Sequence, residues 1–182
     1  AARRLFTRMG YQAGAHDAGL ARKVRSKTSL KDMFVVGPQL HCLLGSGLAK
    51  AVRLEFDIER GGHYGEFVWT GQAEDEEHGR HFPSGAEPMC WMQIGYASGF
   101  GTEFMGRPVL YREVECQSMG QAACRIVGKT LEEWGDEAAQ DMRFLRAEKL
   151  SGGHLTGVPQ PVDAAAAPGA WSGPAPARGE GV

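Results

Sequence analysis

The sequence carries no surplus of charge of either sign. Its 182 residues hold 20 lysines and arginines against 22 aspartates and glutamates, a formal net charge of -2. A chain with no basic block lacks the means to grip nucleic acid through its phosphates, so no nucleic-acid binding by these residues is expected. No apolar run approaches the roughly 18–20 residues of a membrane span, and residues 1–20 hold no apolar signal-peptide core. Cysteine is scarce: four residues with no CxxC pair. That usage fits a cytoplasmic protein whose thiols stay reduced, not a disulfide framework. Catalytic signatures are missing too: there is no serine elbow, HExxH or DxDxDG loop. Val127-Gly128-Lys129-Thr130 looks like the end of a phosphate-binding loop, but Ala123 stands where that motif needs glycine.

What is abundant is glycine, 26 residues, about twice the usual share of roughly 7%. Part of the excess lies in residues 151–182, with seven glycines, five of the nine prolines and an alanine run. Such a composition cannot bury enough apolar surface to offset chain ordering, so it reads as a flexible, disordered linker. The linker leads to nothing in this sequence, which suggests a piece of a longer protein. The other glycines cluster in VGPQLH, ERGGHYGE and YASGFG, where they are expected to mark turns and helix breaks.

Residues 1–150 read as one α+β domain, an antiparallel sheet of β-hairpins packed with helices. Residues 3–24 are helix-like, although Gly10, Gly14 and Gly19 weaken the pattern. Ser29 and Asp32 open a second helix over about 29–44, which Pro38 is expected to kink or break. In 51–59, Val52, Leu54, Phe56 and Ile58 alternate with charged residues, the pattern of a half-buried strand. A turn at 60–63 leads to a returning strand over 64–70. Residues 72–82 are charged and helical, with Glu74-Asp75-Glu76-Glu77 read as a solvated face. His16, Asp17 and His78 are likewise read as surface residues. An apolar, buried helix follows Pro88. Residues 108–116 and 123–128 form a second hairpin, and Thr130 with Glu133 caps a last helix that runs to about Leu150.

Two constellations could carry chemistry. Cys90, Glu113, Cys116 and Cys124 would bring three thiolates and a carboxylate together, a closed shell for a structural zinc. Residues 113 and 116 face opposite ways on a regular strand, so such a site needs a bulge or the strand's end there. Three buried, unliganded cysteines explain the spacing equally well. The second constellation is aromatic: Phe34, His41, Phe67, Trp69, Tyr96, Phe100 and Tyr111. It offers flat apolar walls with a few polar points for a small aromatic ligand. An ordinary aromatic core with a satisfied histidine is the alternative.

Several longer strings carry a resemblance. GYQAG with Asp17, VGPQLH at 36–41, GEFVW at 65–69, PMCWMQIGYASG at 88–99, GRPVLYREVEC at 106–116 and CRIVGK at 124–129 resemble the sensor domain of aromatic-responsive, sigma-54-dependent transcription activators. The resemblance spans about residues 3–150, and the part at about 50–130 is similar to the zinc-bearing vinyl-four-reductase type of fold. It implies a structural zinc held by Cys90, Glu113, Cys116 and Cys124. It also implies an effector pocket in which His41 and Trp69 contact a phenol hydroxyl and Phe34, Phe67, Tyr96, Phe100 and Tyr111 line the ring. Phe100 stands where phenol sensors of this type often carry tyrosine, which leaves benzene, toluene or xylene as alternative effectors. A small-molecule-modifying enzyme of the same fold is the more distant alternative. The family further implies a homodimer, a longer N-terminal part, and an ATPase and a DNA-binding domain beyond the linker. Effector binding would relieve repression of that ATPase.

Overall fold

Helix α1 spans Ala2–Val24 in spite of its three glycines, and the reason is its partner. Helix α5, Trp91–Met105, carries Gly95 and Gly99, and the two helices touch backbone to backbone. A Cβ at Gly10 or Gly14 would fall inside the van der Waals envelope of the Met92 or Tyr96 carbonyl. A Cβ at Gly95 or Gly99 would do the same to the Thr7 or Tyr11 carbonyl. Glycine four residues apart on both helices thus removes the side-chain layer that ordinarily separates helix axes. Gly99 and Gly101 of YASGFG are therefore mid-helix packing residues, not helix breaks as the sequence suggested.

The computed structural model describes residues 1–145. The linker read at 151–182 and the helix end read at 146–150 lie outside the described residues. Among the described residues no helix is long and apolar enough to cross a membrane.

The expected helix over 29–44 is two. Helix α2 is Leu30–Phe34, opened by the Ser29 hydroxyl accepting the Asp32 N–H at 3.1 Å. Helix α3 is Val36–Leu43. The break falls at Val35 rather than Pro38. Proline then sits in the first turn of α3, where its missing N–H costs no helical bond.

Four strands form one antiparallel sheet in the order β1-β2-β4-β3: Leu48–Asp57, Gly62–Thr70, Cys124–Thr130 and Val109–Glu115 for β1, β2, β4 and β3 respectively. Strand β1 departs from its simple alternation. The register shifts between Ala51 and Arg53, so the extra residue, Val52, is exposed while Leu54, Phe56 and Ile58 pack on the core. A bulge inverts the side-chain phase, and the alternation read from 52 to 58 holds only beyond it. On β2 the buried residues alternate as His63, Gly65, Phe67 and Trp69, and on β4 as Cys124, Ile126, Gly128 and Thr130. The Tyr111 ring of β3 lies across Gly128 and Gly65, which stand in register on the two neighbouring strands; a Cβ at either would occupy the ring's place.

Helix α4, Ala73–His81, follows β2. The last helix is likewise broken up. Thr130 and Glu133 form the expected capping box, but helix α6 covers only Leu131–Trp134. Gly135, at φ 54°, turns the chain into a 3-10 segment, and helix α7 is Ala139–Leu145. The Trp134 indole N–H donates to the Leu110 carbonyl at 2.8 Å, on the sheet face away from Tyr111.

Gly14→Val and Gly19→Ala should have opposite effects in urea unfolding. Gly14 meets the Tyr96 backbone, whereas nothing lies within 4 Å of a Cβ at Gly19. The first substitution is expected to cost about 1–3 kcal/mol or more by overpacking. The second should stabilise α1 by up to about 1 kcal/mol through helix propensity.

Candidate functional site: an aromatic pocket beside a cysteine cluster

All seven aromatic and histidine positions read from the sequence line one cavity, closed by Gly37, Pro38, Ala49, Ala97 and Ile126. Phe34 comes from α2, His41 from α3, Phe67 and Trp69 from β2, Tyr96 and Phe100 from α5, and Tyr111 from β3. The space between the lining atoms, open solvent at its mouth included, is about 370 Å³. The Trp69 indole stacks on the His41 ring at 4.9 Å and 24°, and Phe34 meets Phe100 edge to face at 5.7 Å.

The polar atoms of the pocket divide into committed and uncommitted groups. The Tyr96 hydroxyl donates to Asp17 at 3.0 Å, and the Tyr111 hydroxyl lies 2.9 Å from His63 Nε2. His41 Nε2 lies 3.2 Å from Oε1 of Gln72. Among the described residues no hydrogen bond engages His41 Nδ1 or the Trp69 indole N–H. Burial lowers the His41 pKa and the Gln72 bond offsets this only in part, so the ring is neutral near pH 7.

The four expected metal-site residues also converge, and a fifth joins them. One donor atom from each of Asp75, Cys90, Glu113, Cys116 and Cys124 lies within 4.8 Å of all the others. Cys90 precedes α5, and Cys124 opens β4 directly across from Trp69. Strand β3 shifts register between Glu113 and Glu115 and then ends, so Glu113 and Cys116 turn to the same side, as such a site requires. All four cysteines of the chain are free thiols.

The donor set suits a cation. Two thiolates on one tetrahedral zinc stand about 3.8 Å apart, given Zn–S bonds of about 2.3 Å; Cys90 Sγ and Cys124 Sγ are 3.8 Å apart. Glu113 Oε1 is buried without a hydrogen-bond partner. Burial, then the neighbouring Cys116, raises the Glu113 pKa, and hydrogen bonds shared with Cys116 raise those of Cys90 and Cys124. Crowded acids of this kind ionise together only beside a compensating positive charge.

Asp75 corrects the reading of 74–77 as a solvated face. It is 4% exposed, and its oxygens stand 3.2 Å from Cys116 Sγ and 2.7 Å from Cys124 Sγ. They also accept the Gln117 and Ser118 N–H groups. The Glu74 carboxylate accepts the Met92 and Gln93 N–H groups at the start of α5, at 2.9 and 3.0 Å. Only Glu76 and Glu77 are solvated, alongside Arg80. Asp17, read as a surface residue, is the Tyr96 partner, and His78 is half-buried. His63 and Gln72 were not foreseen either. AEDEEHGRH has no apolar periodicity, so nothing in the string marks which polar side chains turn inward.

A family described as "Activator of aromatic catabolism" matches residues 1–57, and the V4R domain matches residues 69–130. The transcriptional regulatory protein XylR of Pseudomonas putida is 38% identical over 143 residues, covering 79% of this chain and 25% of that protein. The phenol regulator MopR of Acinetobacter guillouiae is 35% identical over 149 residues, covering 82% of this chain and 26% of that protein. The chain thus spans about a quarter of the length of these relatives. The crystal structure of the phenol-responsive sensory domain of the transcription activator PoxR, with phenol, superposes with a TM-score of 0.77 at 39% identity. That match covers 81% of this chain and 73% of the other.

Burial lowers the His63 pKa from 6.5 to about 4. As pH falls, the unfolded chain therefore takes up this proton first, and stability is lost between about pH 6.5 and about pH 4, with the contribution whole above that window. His63→Phe removes the titration. Its unfolding free energy, measured by denaturant across the window, should fall by about 3 kcal/mol less than that of the parent protein. Equal slopes would contradict this role.

Proposed function

The chain belongs to the sensory-domain family of aromatic-responsive transcription activators, and from that premise we propose that its cavity takes phenol or a closely related small aromatic as effector. It is a regulatory domain rather than an enzyme. The observation that carries the effector reading is the division of polar atoms. Both tyrosine hydroxyls are bonded within the protein. His41 and Trp69 are left to meet a hydroxyl, while Phe34, Phe67, Tyr96, Phe100 and Tyr111 enclose a ring. Burying most of a phenol ring contributes roughly 3–4 kcal/mol at about 25 cal/mol per Å². One or two hydrogen bonds to otherwise unpaired groups add about 1–3 kcal/mol. Micromolar or weaker affinity follows once association costs are counted.

The metal reading is zinc, held by Cys90, Glu113, Cys116 and Cys124 in a closed shell. Zinc there would supply a cross-link and no open coordination position for chemistry. The ligands would tie the start of α5 to the second hairpin, and so brace the wall that carries Tyr96, Phe100 and Tyr111. The sulfur spacing and the unpaired Glu113 oxygen support it.

For the whole protein, the reading is a cytoplasmic, dimeric activator whose sigma-54-dependent ATPase is released from repression when effector binds. Arg112 offers a route for that release. It stands between Tyr111 and Glu113 and pairs with Asp141 of α7 at 2.7 Å.

Calorimetry with phenol and toluene tests the effector role. His41→Ala should weaken phenol by at least about tenfold, against less than about twofold for toluene. Equal losses would overturn the hydroxyl-reading role, and parent protein that prefers toluene would make this an alkylbenzene sensor. Elemental analysis should find about one zinc per chain, and chelation should lower the melting temperature by several degrees. Metal-free protein of unchanged stability that still binds phenol would remove the metal reading.

A further inference from the structure

We propose that Gln72 is a positioning residue that sets effector specificity by deciding which nitrogen of His41 carries the proton. The inference rests on the reading of His41 as the hydroxyl contact. Gln72 is 0% exposed and sits between β2 and α4, three residues after Trp69. Its Oε1 lies 3.2 Å from His41 Nε2. A carbonyl oxygen only accepts, so this contact requires the proton on Nε2. The neutral imidazole then holds its lone pair on Nδ1, the nitrogen that no other described residue engages.

The amide is enclosed by protein. It packs against Gly47, where a Cβ would collide with the amide nitrogen. The Ala73 N–H donates to the Ser46 carbonyl at 3.0 Å, tying the segment that carries Gln72 to the same loop. The amide nitrogen is buried with no hydrogen-bond partner. Among the described residues the bond to His41 is thus the one polar contact that holds the side chain.

The consequence is a pocket with one acceptor and one donor. The effector hydroxyl gives its proton to His41 Nδ1, and its oxygen accepts the Trp69 indole N–H. A phenol satisfies both groups, whereas toluene satisfies neither and leaves two buried polar atoms without partners. Were the proton on Nδ1, the pocket would present two donors, and a ligand with no proton to give would serve as well as a phenol.

Two measurements on the 182-residue chain test this. The first is nitrogen-15 NMR of His41 in the unliganded protein, expected to show protonated Nε2 and unprotonated Nδ1. The reverse tautomer overturns the proposal whatever the protein binds. The second is calorimetry on Gln72→Met and Gln72→Glu. Gln72→Met, which keeps the length and loses the acceptor, should weaken phenol about tenfold and toluene less than about twofold. Gln72→Glu, which keeps an acceptor, should restore most of the preference for phenol. An unchanged phenol-to-toluene ratio in Gln72→Met, alongside a lost ratio in His41→Ala, overturns the role of Gln72 and leaves that of His41 standing. A parent protein without preference for phenol, together with the expected tautomer, overturns the effector reading and retains the control of His41 by Gln72.

Discussion

The contact on which the rest depends is the backbone-to-backbone packing of α1 on α5. Four glycines, two on each helix, let each helix seat its main chain against carbonyl oxygens of the other. Dispersion and weak Cα–H···O contacts replace the usual interlocking of side chains. The benefit is positional. Helix α5 carries Tyr96 and Phe100 into the cavity and begins next to Cys90, so its placement sets one wall of the pocket and one corner of the cysteine cluster together. Asp17 adds a directional bond to the same interface by accepting the Tyr96 hydroxyl. That bond keeps the hydroxyl out of the cavity and leaves the ring to face it.

The segment from Trp69 to Asp75 links pocket and cluster from the other side. Trp69 stacks on His41, Gln72 reaches the same imidazole, Glu74 caps α5, and Asp75 meets two of the cysteines. Glu74 matters because Cys90, the residue preceding α5, makes no capping hydrogen bond of its own. A carboxylate from elsewhere satisfies the free N–H groups and suits the positive end of the helix dipole. One short stretch of chain therefore orients the polar side of the aromatic cavity and the acidic side of the cluster.

Legibility in the sequence followed the range of the interaction. The helix starts read at Ser29 and Thr130 act within three residues: Thr130 forms the full capping box, and Ser29 caps in one direction, its hydroxyl accepting the Asp32 N–H. The hairpins were visible because alternation and turn residues are local; a metal site on Glu113 and Cys116 would need a bulge or the strand's end there, and the register does shift between Glu113 and Glu115. The seven aromatic and histidine positions were found through strand alternation, helical spacing and family resemblance together. Signals failed where one local pattern had two tertiary solutions. The string from 29 to 44 could hold a single kinked helix or two helices, and Gly135 could lie within a last helix or end it. Val52 fits an alternating strand until a bulge removes it.

The polar residues that matter most were the least visible. Asp75 and Glu76 are neighbours of one chemical type, yet one is buried among sulfurs and the other faces solvent. Composition and periodicity treat them alike, because burial of a carboxylate follows from partners dozens of residues away. By itself the sequence determined an α+β sensor-type domain, its hairpins and caps, and named the aromatic positions around His41 and the Cys90, Glu113, Cys116 and Cys124 group as candidates. Tertiary structure alone decided that glycines at 10, 14, 95 and 99 are an interface, that Tyr111 lies over two strand glycines, and that Gln72, His63 and Asp75 turn inward. The physical reason is that local conformation is set by neighbours in the chain. The fate of a buried polar group, or of a missing side chain, is set by whatever the fold brings against it.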